Sequence, residues 1–184
     1  AKSPRLLLTS LAGIASAMLT ACTTLSLTAA NLPAVFGSYE MRRDLKYGAL
    51  DRQALDVYTP GKASAQSTRR PIVVFVHGGG FARGSKNTEG TPFYDNIGLW
   101  AVGQDLVGVT MNYRLAPQST WPSGIEDLTA AVAWLKANVA KYGGDPNKII
   151  LWGHSAGAAH VADYIADAAK LGRDSGVAGA VLTS

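Results

Sequence analysis

Ser155 lies in the stretch Gly153-His154-Ser155-Ala156-Gly157, a spacing that can make a nucleophile of a serine hydroxyl. An apolar run, Ile149-Ile150-Leu151-Trp152, leads into it, and a small-residue stretch of helical character follows. Where a strand bends sharply into a helix, the residue at the bend sits on a strained backbone. Side chains two positions to either side would collide, and glycine at 153 and 157 meets that demand. The bend would lift the Ser155 hydroxyl to a helix N-terminus, where anionic charge is favoured. The same position also suits a plain helix-capping serine. With 20 glycines in the chain, composition alone yields this pattern in about one such chain in seven.

A second motif is far rarer. His77-Gly78-Gly79-Gly80-Phe81 follows another apolar run, Ile72-Val73-Val74-Phe75-Val76. With 3 histidines in the chain, His-Gly-Gly-Gly arises by chance in about one chain in a few hundred. Consecutive glycines after a strand let backbone N–H groups turn towards a substrate oxygen that becomes an anion. The chemistry these two motifs could do together is acyl transfer. Ser155 attacks a carbonyl carbon, main-chain amides hold the oxyanion, and water resolves the acyl-enzyme. The amide of Ala156, directly after the nucleophile, is one donor that elbow geometry supplies.

These two motifs, with Asn112-Tyr113-Arg114-Leu115-Ala116-Pro117 between them, resemble the hormone-sensitive-lipase-like carboxylesterases of the α/β-hydrolase fold. The likeness runs from about residue 39 to residue 184. It departs mildly at position 118, a Gln where such enzymes often carry an acid. The resemblance implies that Gly79 and Gly80 supply the other oxyanion donors. It implies that His77 orients the glycine loop and does not take the serine proton. It also implies a small or medium acyl ester as substrate. An amidase or formamidase of the same fold would use the same parts. A non-catalytic binding protein on that fold is the alternative from another class, because the triad acid and histidine follow the serine in chain order. After Ser155 the acids are Asp163, Asp167 and Asp174, and the only histidine is His160, five residues on in the same helix. The chain is therefore read as the N-terminal portion of such a domain, reaching about its sixth strand.

The elements that must position these residues read as strands alternating with helices. An alternating stretch from Tyr39 to Tyr47 predicts an exposed strand, with residues 53–58 as its antiparallel partner across a turn at 47–51. Residues 61–70 form a polar loop. Buried strands are predicted at 71–76 and 106–113, with a helix at 93–102 between them. Ile125, Leu128, Val132, Leu135 and Val139 form one apolar stripe of a helix. Gly143-Gly144 stops that helix, and Asp145-Pro146 turns the chain back. After the elbow, Val161, Tyr164, Ile165, Ala168 and Leu171 form a second stripe, while Ala156, Ala158, Ala159 and Ala162 would let this helix lie close to the sheet. Val177 to Leu182 reads as a sixth strand. Parallel β-α-β crossovers follow, hence an α/β-hydrolase three-layer sandwich, mostly parallel, with an antiparallel N-terminal hairpin. Arg114 and Asp127 are expected to form a buried or half-buried ion pair that fixes the loop at Pro117. Phe81, Trp152 and Tyr113 could wall a pocket; Trp152, on a buried strand, reads rather as core, and Phe81 as pocket wall or core.

Lys2 and Arg5 precede an uncharged apolar segment that ends in Leu19-Thr20-Ala21-Cys22. It is short for a membrane span and has the form of an export signal. It resembles the bacterial lipoprotein box, which implies lipidation of Cys22, a membrane anchor, and outer-membrane sorting from Thr23. The division expected is 1–21 signal peptide, 22–37 tether, and 38–184 hydrolase domain. Cys22 is the only cysteine, so no intrachain disulfide forms. The net charge of +4 loses Lys2 and Arg5 with the signal, leaving 15 basic against 13 acidic residues. With no basic stripe interleaved with aromatics, nucleic acid is not an expected partner. Three dispersed histidines, no Gly-Lys-Ser/Thr loop and no G-x-G-x-x-G give no metal, nucleotide or other cofactor site.

Overall fold

The computed structural model describes residues 38–61 and 69–184. The segments expected as signal peptide, 1–21, and tether, 22–37 with Cys22, and most of the expected polar loop 61–70 lie outside the described residues. Among those described, six strands form one sheet: β1 Tyr39–Lys46, β2 Ala54–Pro60, β3 Arg70–Val76, β4 Val107–Met111, β5 Gly144–His154 and β6 Gly179–Thr183, in the order β1-β2-β4-β3-β5-β6. β1 and β2 form the antiparallel hairpin, β2 also runs antiparallel to β4, and the remaining pairs are parallel. Helices α1 (Asp95–Gly103), α2 (Ser123–Asn138) and α3 (Ala156–Lys170) cross between strands.

The strands alternate between two cores. Leu55, Val57, Ile72, Val74, Val76, Val107, Val109, Met111, Ile149 and Leu151 face α2 and α3, where Leu128, Val132, Leu135, Val161 and Tyr164 meet them. Tyr58 faces the other way, onto Leu99 and Val102 of α1. α1 lies close to β4 because a Cβ on Gly108 would fall 2.7 Å from the Gly98 carbonyl oxygen. The sheet thus has helices on both faces, as the three-layer expectation required.

Three details differ from the sequence reading. The alternation in β1 does not keep one face, because a one-residue bulge between Arg42 and Leu45 shifts the register. Met41 packs on the α1 side, whereas Leu45 and Tyr47 pack on the opposite core; a single inserted residue moves every later side chain across the sheet. Asp145-Pro146 does not precede β5 but lies within it, in an irregularity where Arg70 pairs with Gly144 and Ile72 already pairs with Ile149. Asp145 Oδ1 accepts the Asn147 N–H there at 3.0 Å, a local turn absorbed by the strand. In α3, Ala159 and Ala162 are exposed and Leu171 is 58% exposed. The close approach of α3 to the sheet comes from Gly157 instead: a Cβ there would lie 2.1 Å from the Val76 carbonyl oxygen.

Buried charge ties the layers together. Asp56, fully buried on β2, accepts from Lys86 at 2.7 Å and Arg43 at 3.1 Å, and Arg43 also bridges to Asp95 at the start of α1 at 2.7 Å. On the other side, Asp127 is fully buried. It accepts the Arg114 backbone N–H at 2.7 Å, Arg114 Nε at 2.9 Å and Gln53 Nε2 at 2.8 Å. The Arg114–Asp127 pair expected from sequence is therefore present, and it holds the Pro117 loop to α2.

Candidate active site

β5 ends at His154 and α3 begins at Ala156, so Ser155 is the one residue of the bend. Its backbone sits at φ 52°, ψ −118°, a sparsely populated region that costs about 1–3 kcal/mol for a non-glycine residue. The packing that holds it there is specific. A Cβ on Gly153 would lie 2.5 Å from Ala158 Cα, and one on Gly157 would strike β3, so neither position admits a side chain. The Ser155 N–H donates to the Thr183 carbonyl at 2.7 Å, extending the β5–β6 ladder into the bend. The Ser155 side chain makes no capping hydrogen bond to α3 and is exposed. The helix-capping alternative is thereby removed, and the hydroxyl faces solvent at the helix N-terminus.

The glycine loop runs beside this bend. A Cβ on Gly78 would lie 3.1 Å from Ser155 Cβ, so the loop and the bend are in contact. Gly79 has φ 128°, a conformation that side chains rarely adopt, and its carbonyl turns inward to accept from Ala82 and Arg83. Among the described residues, no hydrogen bond takes the N–H of Gly79 or Gly80. The N–H of Ala156, first in α3, has no partner within its helix. Three main-chain donors thus remain uncommitted on the loop and the bend that flank Ser155.

His77 is fully buried. Its Nδ1 lies 2.7 Å from the Gly78 carbonyl oxygen, and its ring stacks on Tyr113 with centroids 4.3 Å apart. A carbonyl only accepts, so the proton is on Nδ1. Burial pushes the His77 pKa down to about 4, and the Arg52 charge and His160 push the same way; the ring is neutral near pH 7 and committed to the loop. His154 Nδ1 is buried without a partner among the described residues, against Gly78. His160 packs edge-on against Phe81 and Tyr113 at 5.1 and 4.7 Å, and its pKa is lowered by burial. No hydrogen bond links any of the three to Ser155 Oγ.

Phe81 resolves as pocket wall. It is 45% exposed and, with Ala116, Trp121, His160, Arg114 and Asp163, lines a cavity of about 300 Å³ next to the glycine loop. Tyr113 is core, and its hydroxyl donates to the His77 carbonyl at 2.9 Å. Trp152 is partly buried between Phe75 and Trp100, and its Nε1 donates to Thr183 Oγ1 at 3.2 Å.

Two supports were not read from the sequence. Arg52, in the turn between β1 and β2, donates from Nε to the Tyr113 carbonyl at 2.7 Å and from Nη2 to the Gly84 carbonyl at 2.9 Å, and its Nη2 lies 3.4 Å from His77 Nε2. Thr183 supports the bend from β6. Strand pairing alone could have brought Thr183 to the site, since it stands opposite His154. A lone arginine in a polar turn gives no such pointer.

The comparisons with known proteins agree with this architecture. Esterase B from Lactobacillus rhamnosis superposes with a TM-score of 0.62 at 23% identity, over 90% of this chain and 55% of that one; at that identity the likeness concerns the fold. Carboxylesterase NlhH of Mycobacterium tuberculosis is 40% identical over 107 residues, 58% of this chain and 31% of its own length. The isoprenylcysteine alpha-carbonyl methylesterase ICME of Arabidopsis thaliana is 35% identical over 127 residues, 69% of this chain and 28% of its own. The chain thus spans about a third of these curated relatives. The BD-FAE family profile matches residues 55–174, which hold both glycine motifs. The chain belongs to the BD-FAE family, an esterase family of the α/β-hydrolase fold.

Proposed function

We propose that this protein hydrolyses carboxylic esters through an acyl-enzyme on Ser155. The observation that carries the reading is the strained, exposed Ser155 in contact with a glycine loop whose amides are uncommitted. Ser155 Oγ attacks the ester carbonyl carbon, and the carbonyl π electrons move onto oxygen. The N–H groups of Gly79, Gly80 and Ala156 hold that oxyanion, each such donor contributing about 2.7–4 kcal/mol to the transition state. On collapse the proton lost by Ser155 goes to the departing alkoxide, which leaves as the alcohol, and the acyl group stays on Ser155. Water then adds its oxygen to the acyl carbon and returns a proton to Ser155 Oγ, releasing the carboxylic acid. His77 takes no proton from Ser155, because no hydrogen bond joins the two and its accepting nitrogen, Nε2, faces Arg52 Nη2 at 3.4 Å. The fold's chain order places the triad acid and histidine after the serine. The cavity beside Phe81, with about 300 Å³, suits a small or medium acyl or alcohol group. Lipidation at Cys22 would hold the enzyme at a membrane surface.

The test is turnover of p-nitrophenyl butyrate and of the matched anilide by the full protein, with mass spectrometry after fluorophosphonate treatment. Ester turnover, with a single phosphonyl adduct on Ser155, is expected. Faster anilide than ester cleavage would favour an amidase. Undiminished ester turnover in Ser155→Ala would overturn the reading.

A further inference from the structure

Arg52 comes from the β1–β2 turn, 25 residues before His77, and belongs to neither glycine motif. Its guanidinium nevertheless meets three groups around the glycine loop. Nε is used by the Tyr113 carbonyl, and the two protons of Nη2 point to the Gly84 carbonyl and to His77 Nε2. Arginine is always protonated and offers only donors. His77 Nε2 must therefore accept, which leaves the single imidazole proton on Nδ1, opposite the Gly78 carbonyl at 2.7 Å. That bond fixes the Gly78–Gly79 peptide plane. In a trans peptide the C=O and the following N–H point in opposite directions. With the Gly78 carbonyl drawn inward to His77, the Gly79 N–H must point away from His77, out of the loop.

We propose that Arg52 is a positioning residue of this site: by donating to His77 Nε2 it selects the Nδ1–H tautomer, which in turn aims the Gly79 N–H at the substrate oxygen. The aim at a substrate rests on the ester-hydrolase reading; the Arg52–His77 link does not. A free histidine side chain favours its proton on Nε2, so without Arg52 only the Gly78 carbonyl, at 2.7 Å, would hold the proton of His77 on Nδ1. Burial is the main cause of the lowered His77 pKa, and the Arg52 charge pushes in the same direction. The other titratable groups near the ring are Tyr113 and Tyr94, at centroid distances of 4.3 and 6.5 Å, neither charged near pH 7, and His160, whose pKa burial lowers. Tyr94 stays neutral because burial raises its pKa. No carboxylate touches the imidazole to compete for Nε2 among the described residues.

The experiment is nitrogen NMR of the full protein labelled at histidine, beside steady-state kinetics on p-nitrophenyl butyrate, for wild type and Arg52→Met. Wild type should show His77 as a neutral ring at pH 7, with a protonated Nδ1 and an accepting, hydrogen-bonded Nε2. Arg52→Met should shift the Nε2 resonance towards a free pyridine-type nitrogen or give mixed tautomers. Its kcat should fall about 10- to 100-fold, part of the 10²–10³ that loss of a whole oxyanion donor costs, with KM within twofold. A destabilised but correctly aimed site would keep the wild-type His77 nitrogen shifts. If Arg52→Met does not fold, the wild-type spectrum decides: a proton on Nε2 there overturns the proposal. Unchanged His77 shifts in folded Arg52→Met overturn it as well, and changed shifts with unchanged kcat overturn the aiming step. Should Ser155→Ala retain full turnover, the hydrolase reading fails, while the nitrogen spectra still judge the Arg52–His77 link.

Discussion

Gly157→Ala probes how closely the nucleophile's helix is seated. The added methyl would lie 2.1 Å from the Val76 carbonyl oxygen and 2.6 Å from that of His77. Ordinary contact begins near 3.4 Å, so α3 would have to retreat from β3 by about 1.3 Å, because two backbone carbonyls cannot swing aside as a side chain would. Overpacking of this kind costs about 1–3 kcal/mol in stability. The larger effect should be on rate. Ser155 and Ala156 ride on the first turn of α3, and a misplacement of about 1 Å can cost roughly 10²-fold in catalysis. The expected result is a kcat/KM for p-nitrophenyl butyrate lower by about 10²-fold, with unfolding free energy down by a few kcal/mol at most. Gly172→Ala is the control. It has φ 63° and nothing within 4 Å of a Cβ, so it should lose about 1 kcal/mol from backbone strain and no activity. The reasoning fails if Gly157→Ala turns over ester within twofold of wild type, or if both variants lose activity equally.

Ser155→Ala should lower kcat by about 10⁴- to 10⁶-fold without lowering the unfolding midpoint, since the hydroxyl caps nothing; calorimetry and a progress curve check both halves. Arg114→Met would leave the buried Asp127 carboxylate with only Gln53 and one backbone N–H. A loss of about 3–5 kcal/mol is expected in denaturant unfolding, and no loss would show the pair to be dispensable. His77 titrates near 4 in the folded chain against 6.5 unfolded. The unfolded state therefore binds the extra proton between those values, and this group makes stability rise with pH across that window. The full cost, present below pH 4 and gone above 6.5, is about 3 kcal/mol. His77→Asn should flatten that part of the stability profile, as read by urea unfolding at pH 4.5 and 7. Cys22→Ala should move the protein from the membrane fraction to the soluble fraction and end labelling by a fatty-acid analogue.

The parts of this molecule that were legible in the sequence are those written in local spacing. Ile72 to Phe75 and Ile149 to Leu151 announce buried strands because both faces of a central strand are covered, and the stripe Leu128, Val132, Leu135 announces α2 because one face of that helix meets the sheet. The Ser155 bend was legible because its steric demand falls on fixed neighbours, Gly153 and Gly157. The bulge in β1 was not, since its residues, Arg43 and Asp44, are polar and unremarkable and the register is set by pairing with β2. Nor was the exposure of Ala159 and Ala162: small residues at helical spacing mark close packing only where another element meets them.

What the sequence withheld most completely is the buried polar support behind the site, and the reason is geometric. The loops that carry chemistry at the ends of β3, β4 and β5 have no ladder hydrogen bonds of their own, so something must satisfy and fix their carbonyls. Here the β1–β2 turn does so on both sides at once. Arg52 reaches the Gly84 and Tyr113 carbonyls, while the adjacent Gln53 reaches Asp127, which itself holds the backbone and side chain of Arg114. Two neighbouring residues of a surface turn thus bind the glycine loop and the Pro117 loop to one rigid hairpin. That coupling implies that changes at residues 52 and 53 are not independent. A double-mutant cycle on Arg52→Met and Gln53→Ala, read in unfolding free energy, should give an interaction of about 0.5 kcal/mol or more. Strict additivity would mean that each loop is held by its own neighbours and that the hairpin only touches them.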